Sequence, residues 1–156
     1  MTYTYDGGVK LPTPTKTGYN FLGFYTERTG GEKFDYSKPI TSDCDIFLHW
    51  EPKTYTVTLV SDGSVIDTLN IKYLSPIPAI ATPTKAGYTF IKWTMDEDHE
   101  IRFDLTGESM PPKSFTLYAE WKINRYTVIF KDYAGNVLKE ETLYAHEDAT
   151  DRKSVV

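Results

Sequence analysis

Pro14-Thr15-Lys16-Thr17-Gly18-Tyr19-Asn20-Phe21 returns as Pro83-Thr84-Lys85-Ala86-Gly87-Tyr88-Thr89-Phe90, an offset of 69 residues. Self-similarity this ordered decides the organisation before any single segment is read, because a fixed period marks an array of like units. Working outward, Phe34-Asp35 returns as Phe103-Asp104 at the same offset. Ile46-Phe47-Leu48-His49-Trp50 matches Leu117-Tyr118-Ala119-Glu120-Trp121, and Tyr55-Thr56-Val57-Thr58-Leu59 matches Tyr126-Thr127-Val128-Ile129-Phe130, both at 71. The period is therefore about 70 residues.

The copies are unequal. The middle one, residues 53–123, is whole: a strand opening at Tyr55, a turn at Asp62-Gly63, then a second run from Val65 to Tyr73. The first, residues 1–52, enters at Tyr3-Thr4-Tyr5, which aligns with Ile71-Lys72-Tyr73, so it lacks the opening hairpin. The third, residues 124–156, supplies that hairpin from Tyr126 to about Ala145, turning at Ala134-Gly135-Asn136, without the aromatic second half. Period-2 alternation puts Tyr55, Val57 and Leu59 on one face and Thr54, Thr56 and Thr58 on the other, the mark of a half-buried strand. Val65, Leu69, Ile71 and Tyr73 hold the same phase in the second strand. Prolines 76, 78 and 83 remove ladder donors and fix φ, which predicts an extended or single-turn crossover and no long helix. Tyr88 to Trp93 and Phe115 to Trp121 read as the third and fourth strands. Glu51-Pro52-Lys53 and Lys122-Ile123-Asn124 are short linkers that hold the units close.

Composition agrees with a mainly β chain, α+β at most. Of 156 residues, 40% are hydrophobic and 25% charged, enough to bury a core, while 15% aromatics with 12 Tyr favour a pleated surface. Apolar runs are only a few residues long, far short of a membrane span, so membrane insertion is not expected. The 22 acidic and 17 basic residues are mixed along the chain and sum to −5, which removes the electrostatic footprint of a nucleic-acid binder. Cys44 is the one cysteine, so no internal disulfide forms. Met1 to Asp6 carry neither a basic nor an apolar signal region, so any secretion signal or anchor is expected outside this chain.

The ordered series Pro-Thr-Lys-x-Gly-Tyr-x-Phe, the aromatic position at Phe24-Tyr25 or Trp93, Ile40-Thr41-Ser42-Asp43, Leu48-x-Trp50 or Leu117-Tyr118-Ala119-Glu120-Trp121, and a following Tyr-Thr-Val resembles the Listeria/Bacteroides repeat, the internalin B-repeat group. The resemblance implies tandem, compact, β-grasp-like modules with little helix, carried by large bacterial cell-surface proteins as stalks or adhesive segments. It implies an extracellular setting, no catalytic residues and no cofactor. The usual Gly-Trp-Tyr after the aromatic strand reads Gly23-Phe24-Tyr25 in one copy and Lys92-Trp93-Thr94 in the other, a departure that keeps the hydrophobic scheme and carries over no family-wide ligand contact.

Candidate sites divide accordingly. His49 sits in the polar phase of its strand and matches Glu120, so it reads as a solvated side chain. Asp96-Glu97-Asp98-His99-Glu100 lacks the Asp-x-Asp-x-Asp-Gly spacing of a Ca²⁺ loop, and its counterpart at residues 26–31 holds one carboxylate; no metal site is expected. Cys44 has no nucleophile signature around it, and no catalytic residue is assigned. Trp50 and Trp121 end equivalent strands in phase with the apolar set and read as core. Tyr25, Tyr36, Phe47 and Tyr118 fall on the opposite face, and they are the expected binding residues if the chain holds a ligand. Two functions follow: a non-catalytic spacer or stalk, or an adhesin module binding a host protein or glycan through those aromatics. The unequal copies add a third expectation, head-to-tail self-association by hairpin donation, against closure of the first copy by Tyr3 to Val9.

Overall fold

The computed structural model describes residues 13–146. The entry of the first copy at Tyr3-Thr4-Tyr5, its closure by Tyr3 to Val9, and residues 147–156 of the third copy lie outside the described residues. Eight strands and no helix are formed among the described residues: β1 (Tyr19–Tyr25), β2 (Phe47–Pro52), β3 (Thr54–Ser61), β4 (Ser64–Lys72), β5 (Tyr88–Thr94), β6 (Phe115–Ile123), β7 (Arg125–Lys131) and β8 (Val137–Tyr144). The protein is mainly β.

The strands make three sheets, β1-β2, β4-β3-β6-β5 and β7-β8. In the four-stranded sheet β3 runs parallel to β6, from Val57 opposite Phe115 to Val60 opposite Tyr118. β5 then pairs antiparallel with β6. Two antiparallel pairs thus join through a parallel central pair, the strand arrangement of a grasp-type sheet. A parallel pair requires a crossover, commonly a helix. Here Pro76 and Pro78 preclude one, and residues 74–77 instead bond to residues 107–110. The Leu74 and Ile77 N–H groups donate to the Met110 and Glu108 carbonyls at 3.1 and 2.8 Å, and the Met110 N–H donates to the Ser75 carbonyl at 2.8 Å. This ladder buries Ile77 and Met110, at 1% and 0% exposure, two core residues that alternation does not reveal because both sit beside prolines.

Local chemistry sets the turns. Asp62 and Gly63, with φ of 50° and 77°, close β3-β4 as a two-residue hairpin whose twist matches its strands. The β7-β8 loop is longer, and Asp132 organises it: its carboxylate accepts the Asn136 N–H at 2.8 Å, while its own carbonyl accepts the Gly135 N–H at 3.0 Å. A bulge lies between Phe21 and Gly23 in β1 and again between Phe90 and Lys92 in β5. After each bulged strand the loop closes alike, the Phe34 N–H donating to the Phe24 carbonyl at 2.8 Å and the Phe103 N–H to the Trp93 carbonyl at 2.9 Å.

The chain divides into two compact units, one of Met1–Thr56, Asn70–Ile77 and Gly107–Ser114, the other of Val57–Leu69, Pro78–Thr106 and Phe115–Val156. Among the described residues, the first holds Ile71, Ile77 and Met110 as its buried apolar residues. The second holds Val57, Leu59, Trp93, Phe103, Leu117, Ala119, Leu143 and Ala145. The predicted inward phase holds for Val57, Leu59 and Ile71, whereas Val65 is 62% exposed because it stands at the hairpin tip of an edge strand.

Candidate functional site

The recurring Pro-Thr-Lys-x-Gly-Tyr element builds the same local structure in both copies. The lysine ammonium lies over the following tyrosine, Lys16 at 4.3 Å from the Tyr19 ring centre and Lys85 at 4.0 Å from that of Tyr88. Each also reaches a tryptophan of the partner strand, at 5.9 Å for Trp50 in β2 and 5.8 Å for Trp121 in β6. Such cation–π contacts need both residue types at fixed spacing, which explains why lysine and tyrosine recur together. Lys85 additionally pairs with Asp62 at 2.7 Å.

The glycine of the element is a backbone receptor. The Gly18 carbonyl accepts the Lys53 N–H at 2.8 Å, and the Lys53 carbonyl accepts the Tyr73 N–H at 2.8 Å. The Gly87 carbonyl accepts the Asn124 N–H at 2.9 Å, and the Asn124 carbonyl accepts the Ala145 N–H at 2.8 Å. Both glycines are left-handed, φ 78° and 80°, and a Cβ there would run into the Tyr73 ring at Gly18 or into His146 Nε2 at Gly87. Glycine is thus required twice over, by conformation and by close approach. Tyr73 packs edge-on to Tyr19 at 5.4 Å; in the other copy His146 lies 6.2 Å from Tyr88 and donates from Nε2 to the Ala86 carbonyl at 3.1 Å. Leu74 and His146 then both turn the chain in left-handed conformation, φ 64° and 68°. One junction is therefore built twice with different side chains.

The junction escapes a reading of sequence for a specific reason. Tyr73 matches Tyr144 at the 71-residue offset, but the longer β7-β8 turn moves Ala145 into the Tyr73 place. His146, which supports no inference from sequence, becomes a junction residue. The recurring Gly18 and Gly87 beside short linkers were the available signal.

Grooves flank both lysines. One of about 550 Å³ is lined by Asp62, Lys85, Tyr88, His99, Tyr118 and Trp121, and lies in the second unit. One of about 500 Å³ in the first unit is lined by Lys16, Tyr19, Trp50, Lys53, Tyr55 and Pro112. Trp50 and Trp121 are half-buried, each walling its groove, which corrects their reading as simple core. Trp121 lies against Phe90 at 5.7 Å and donates its indole N–H to Ser61 Oγ at 3.0 Å.

Among the expected binding residues, Tyr25 and Phe47 are brought together as register partners in β1-β2, both half-buried. Tyr25 stacks on His49 at 3.9 Å, and His49 Nε2 donates to the Glu27 carbonyl at 2.8 Å. His49 is therefore a packed residue rather than a solvated one, although Glu120 at the matching position pairs with Lys92 at 3.4 Å. Tyr36 is 56% exposed on the loop of the first unit. Tyr118 belongs to the second unit, half-buried, its carbonyl 3.2 Å from the buried Thr94 hydroxyl.

The acidic loop serves its own backbone. The Asp96 carboxylate accepts the Glu100 and Ile101 N–H groups at 2.9 and 2.6 Å, and these bonds hold its carboxyl below the usual 3.8. His99 Nδ1 lies 2.9 Å from Thr94 Oγ1. Among the described residues no three His, Cys, Asp or Glu side chains converge as metal ligands, and no helix is long and apolar enough to cross a membrane. Cys44 is free and exposed.

An all-β repeat whose copies share bulge, loop closure, lysine–aromatic stack and backbone junction defines the class: a tandem β-repeat domain. The sequence profile of the Listeria-Bacteroides repeat domain matches residues 1–49 and 55–120, and the chain belongs to that family. It is 35% identical over 119 residues to internalin H of Listeria monocytogenes, covering 74% of this chain and 22% of that protein. It is 33% identical over 135 residues to a "Putative membrane protein" of Evansella cellulosilytica, covering 85% of this chain and 20% of that one. A "Putative Gly-rich membrane protein" of the same organism is 32% identical over 147 residues, covering 89% and 17%. The chain spans about a fifth of the length of these curated relatives.

Proposed function

We propose that the chain is a non-catalytic spacer segment of a bacterial surface protein, outside the cell, that holds other domains away from the envelope. The observation that carries this reading is the twice-built junction, Gly18–Lys53–Tyr73 and Gly87–Asn124–Ala145. A linker residue bonded through both its N–H and its carbonyl loses the torsional freedom of a free tether, so each added repeat adds length instead of slack. The repeats are taken as residues 1–52, 53–123 and 124–156, and the names of the relatives, an internalin and membrane proteins, agree with a surface setting.

A second reading, an adhesin module, is favoured by the groove beside Trp121 and Tyr118, where aromatic faces adjoin Asp62 and His99, a lining suited to a glycan or to a polar peptide of a host protein. No nucleic-acid partner fits a chain of net charge −5. An array of immobilised glycans and extracellular matrix proteins separates the two. The spacer reading expects no saturable binding; binding that Tyr118→Ala or Phe47→Ala abolishes would replace it with the adhesin reading.

A further inference from the structure

The middle repeat, taken as residues 53–123, places its first strand beside its last. β3 opens the repeat at Thr54 and β6 closes it at Ile123, and the two are neighbours in the four-stranded sheet. They run parallel, with Val57, Thr58, Leu59 and Val60 opposite Phe115, Thr116, Leu117 and Tyr118. The overlap is offset. Thr54 to Thr56 lead into it at the start of β3, and Ala119 to Ile123 run on beyond it at the end of β6. A chain held in tension therefore enters the overlap at one end and leaves it at the other. Pulling slides the strands past each other, and all ladder bonds of the overlap are loaded together. The antiparallel pairs have the opposite geometry. In β1-β2, Tyr19 faces Pro52, so the chain enters and leaves side by side, and tension opens the ladder bond after bond from that end. A single hydrogen bond contributes little net free energy. A ladder opened singly therefore yields readily, and one loaded as a set resists.

Two side-chain bonds lengthen the overlap. Before it, the Thr56 N–H donates to Ser114 Oγ at 2.9 Å; after it, the Trp121 indole N–H donates to Ser61 Oγ at 3.0 Å. Within it, Val57, Leu59 and Leu117 are buried, and a ladder shielded on that side from water holds stronger bonds than an open one. We propose that this repeat is a load-bearing clamp: the parallel overlap of β3 and β6, with its two side-chain ties, keeps the repeat folded when the chain is stretched between its ends. The inference deepens the spacer reading and rests on it, because only a segment held at both ends is stretched. Resistance to force is governed by the rate of unfolding and not by the depth of stability, so a small repeat suffices. The bonded junction residues Lys53 and Asn124 stand just before β3 and just after β6, where the load enters and leaves.

Single-molecule pulling on the full chain tests the clamp by changing only where force is applied, in a Cys44→Ser background that removes the one native thiol. Thr54→Cys with Lys122→Cys puts the handles at opposite ends of the overlap. Thr54→Cys with Lys72→Cys puts them at the two open ends of the β3-β4 hairpin, from which the strands peel. All three positions are exposed, so each variant should keep the β-sheet circular dichroism. At one loading rate the first pair of handles should unfold the repeat at a several-fold higher force than the second. Adding Ser61→Ala and Ser114→Ala should lower the first force and leave the second nearly unchanged. Equal forces in the two geometries, or a weaker first pair, would overturn the proposal. Loss of the two ties without effect on the first force, or with equal effect on both, would overturn it as well. Saturable binding on the ligand array would remove the spacer reading and leave the force difference standing, whereas equal forces would remove the clamp and leave the spacer, so the two fail separately.

Discussion

The four-stranded sheet and the two-stranded sheets carry the same alternating pattern yet differ in burial. Leu59 and Ala119 are buried in the former, whereas their counterparts Phe130 and Leu48 in the latter are about two-fifths exposed. The lesson is that alternation states which side chains are suited to a core, while burial itself requires the hairpin and the aromatic pair to lie side by side. Strand formation is local; the core is not.

The largest test of that contrast is truncation at matching positions. Leu117→Ala should cost about 2–5 kcal/mol, because it opens a cavity at a fully buried site. Ile46→Ala, its counterpart on the half-buried side, should cost less than about 1 kcal/mol. Urea unfolding followed by tryptophan fluorescence reads both, and equal losses would erase the distinction between the four-stranded and the two-stranded sheets.

Next comes the junction. Gly18→Ala must accept both left-handed strain and a Cβ driven into the Tyr73 ring, for about 2–4 kcal/mol in total. Gly63→Ala has open space around it and carries only the strain, about 1–2 kcal/mol. Melting temperatures of the two variants give the ordering. A smaller loss at Gly18 would mean that the contact between Gly18 and Tyr73 is not maintained in solution.

The lysines sharpen the comparison further. Lys85→Met removes a cation–π contact and the pair with Asp62, for about 1 kcal/mol. Lys16→Met removes the cation–π contact, for about 0.5 kcal/mol. The smallest effect is the pH dependence of Asp35, Asp96 and Asp132, one in each copy. Hydrogen bonds from Ser37, from the Glu100 and Ile101 backbone, and from Asn136 hold their carboxyls below 3.8. A carboxyl depressed in the folded state stabilises above its unfolded value, and that contribution disappears as pH falls through the folded value. The three loops should therefore loosen below about pH 3.8 and be insensitive above about pH 5. Proton chemical shifts of the Ser37, Ile101 and Asn136 amides, followed from about pH 2 to about pH 6, report it.

Much of this was legible in the residues. The repeat located β1, β2, β5 and β6, Asp62-Gly63 announced a hairpin turn, and the prolines denied a crossover helix. Three features were hidden for physical reasons. Ile77 and Met110 reach the core from a proline-bound ladder that follows no strand period. Trp50 and Trp121 keep the inward phase but are only half-buried, because each walls the groove beside its lysine. His49 packs on Tyr25, a contact that depends on the bulge at Gly23 and on a loop carbonyl distant in sequence. Of the expected binding residues, pairing of Tyr25 with Phe47 was implicit in the antiparallel pairing of β1 and β2, whereas the groove beside Tyr118 required the placement of Lys85 and His99.

The central claim is that consecutive repeats are joined by bonded junctions instead of free tethers. Amide hydrogen exchange on the full chain tests it at four groups, the N–H of Lys53, Tyr73, Asn124 and Ala145. The account predicts protection at all four comparable to that of the β3 amides. Exchange at the rate of an unstructured peptide at Lys53 and Asn124, with β3 still protected, would contradict it.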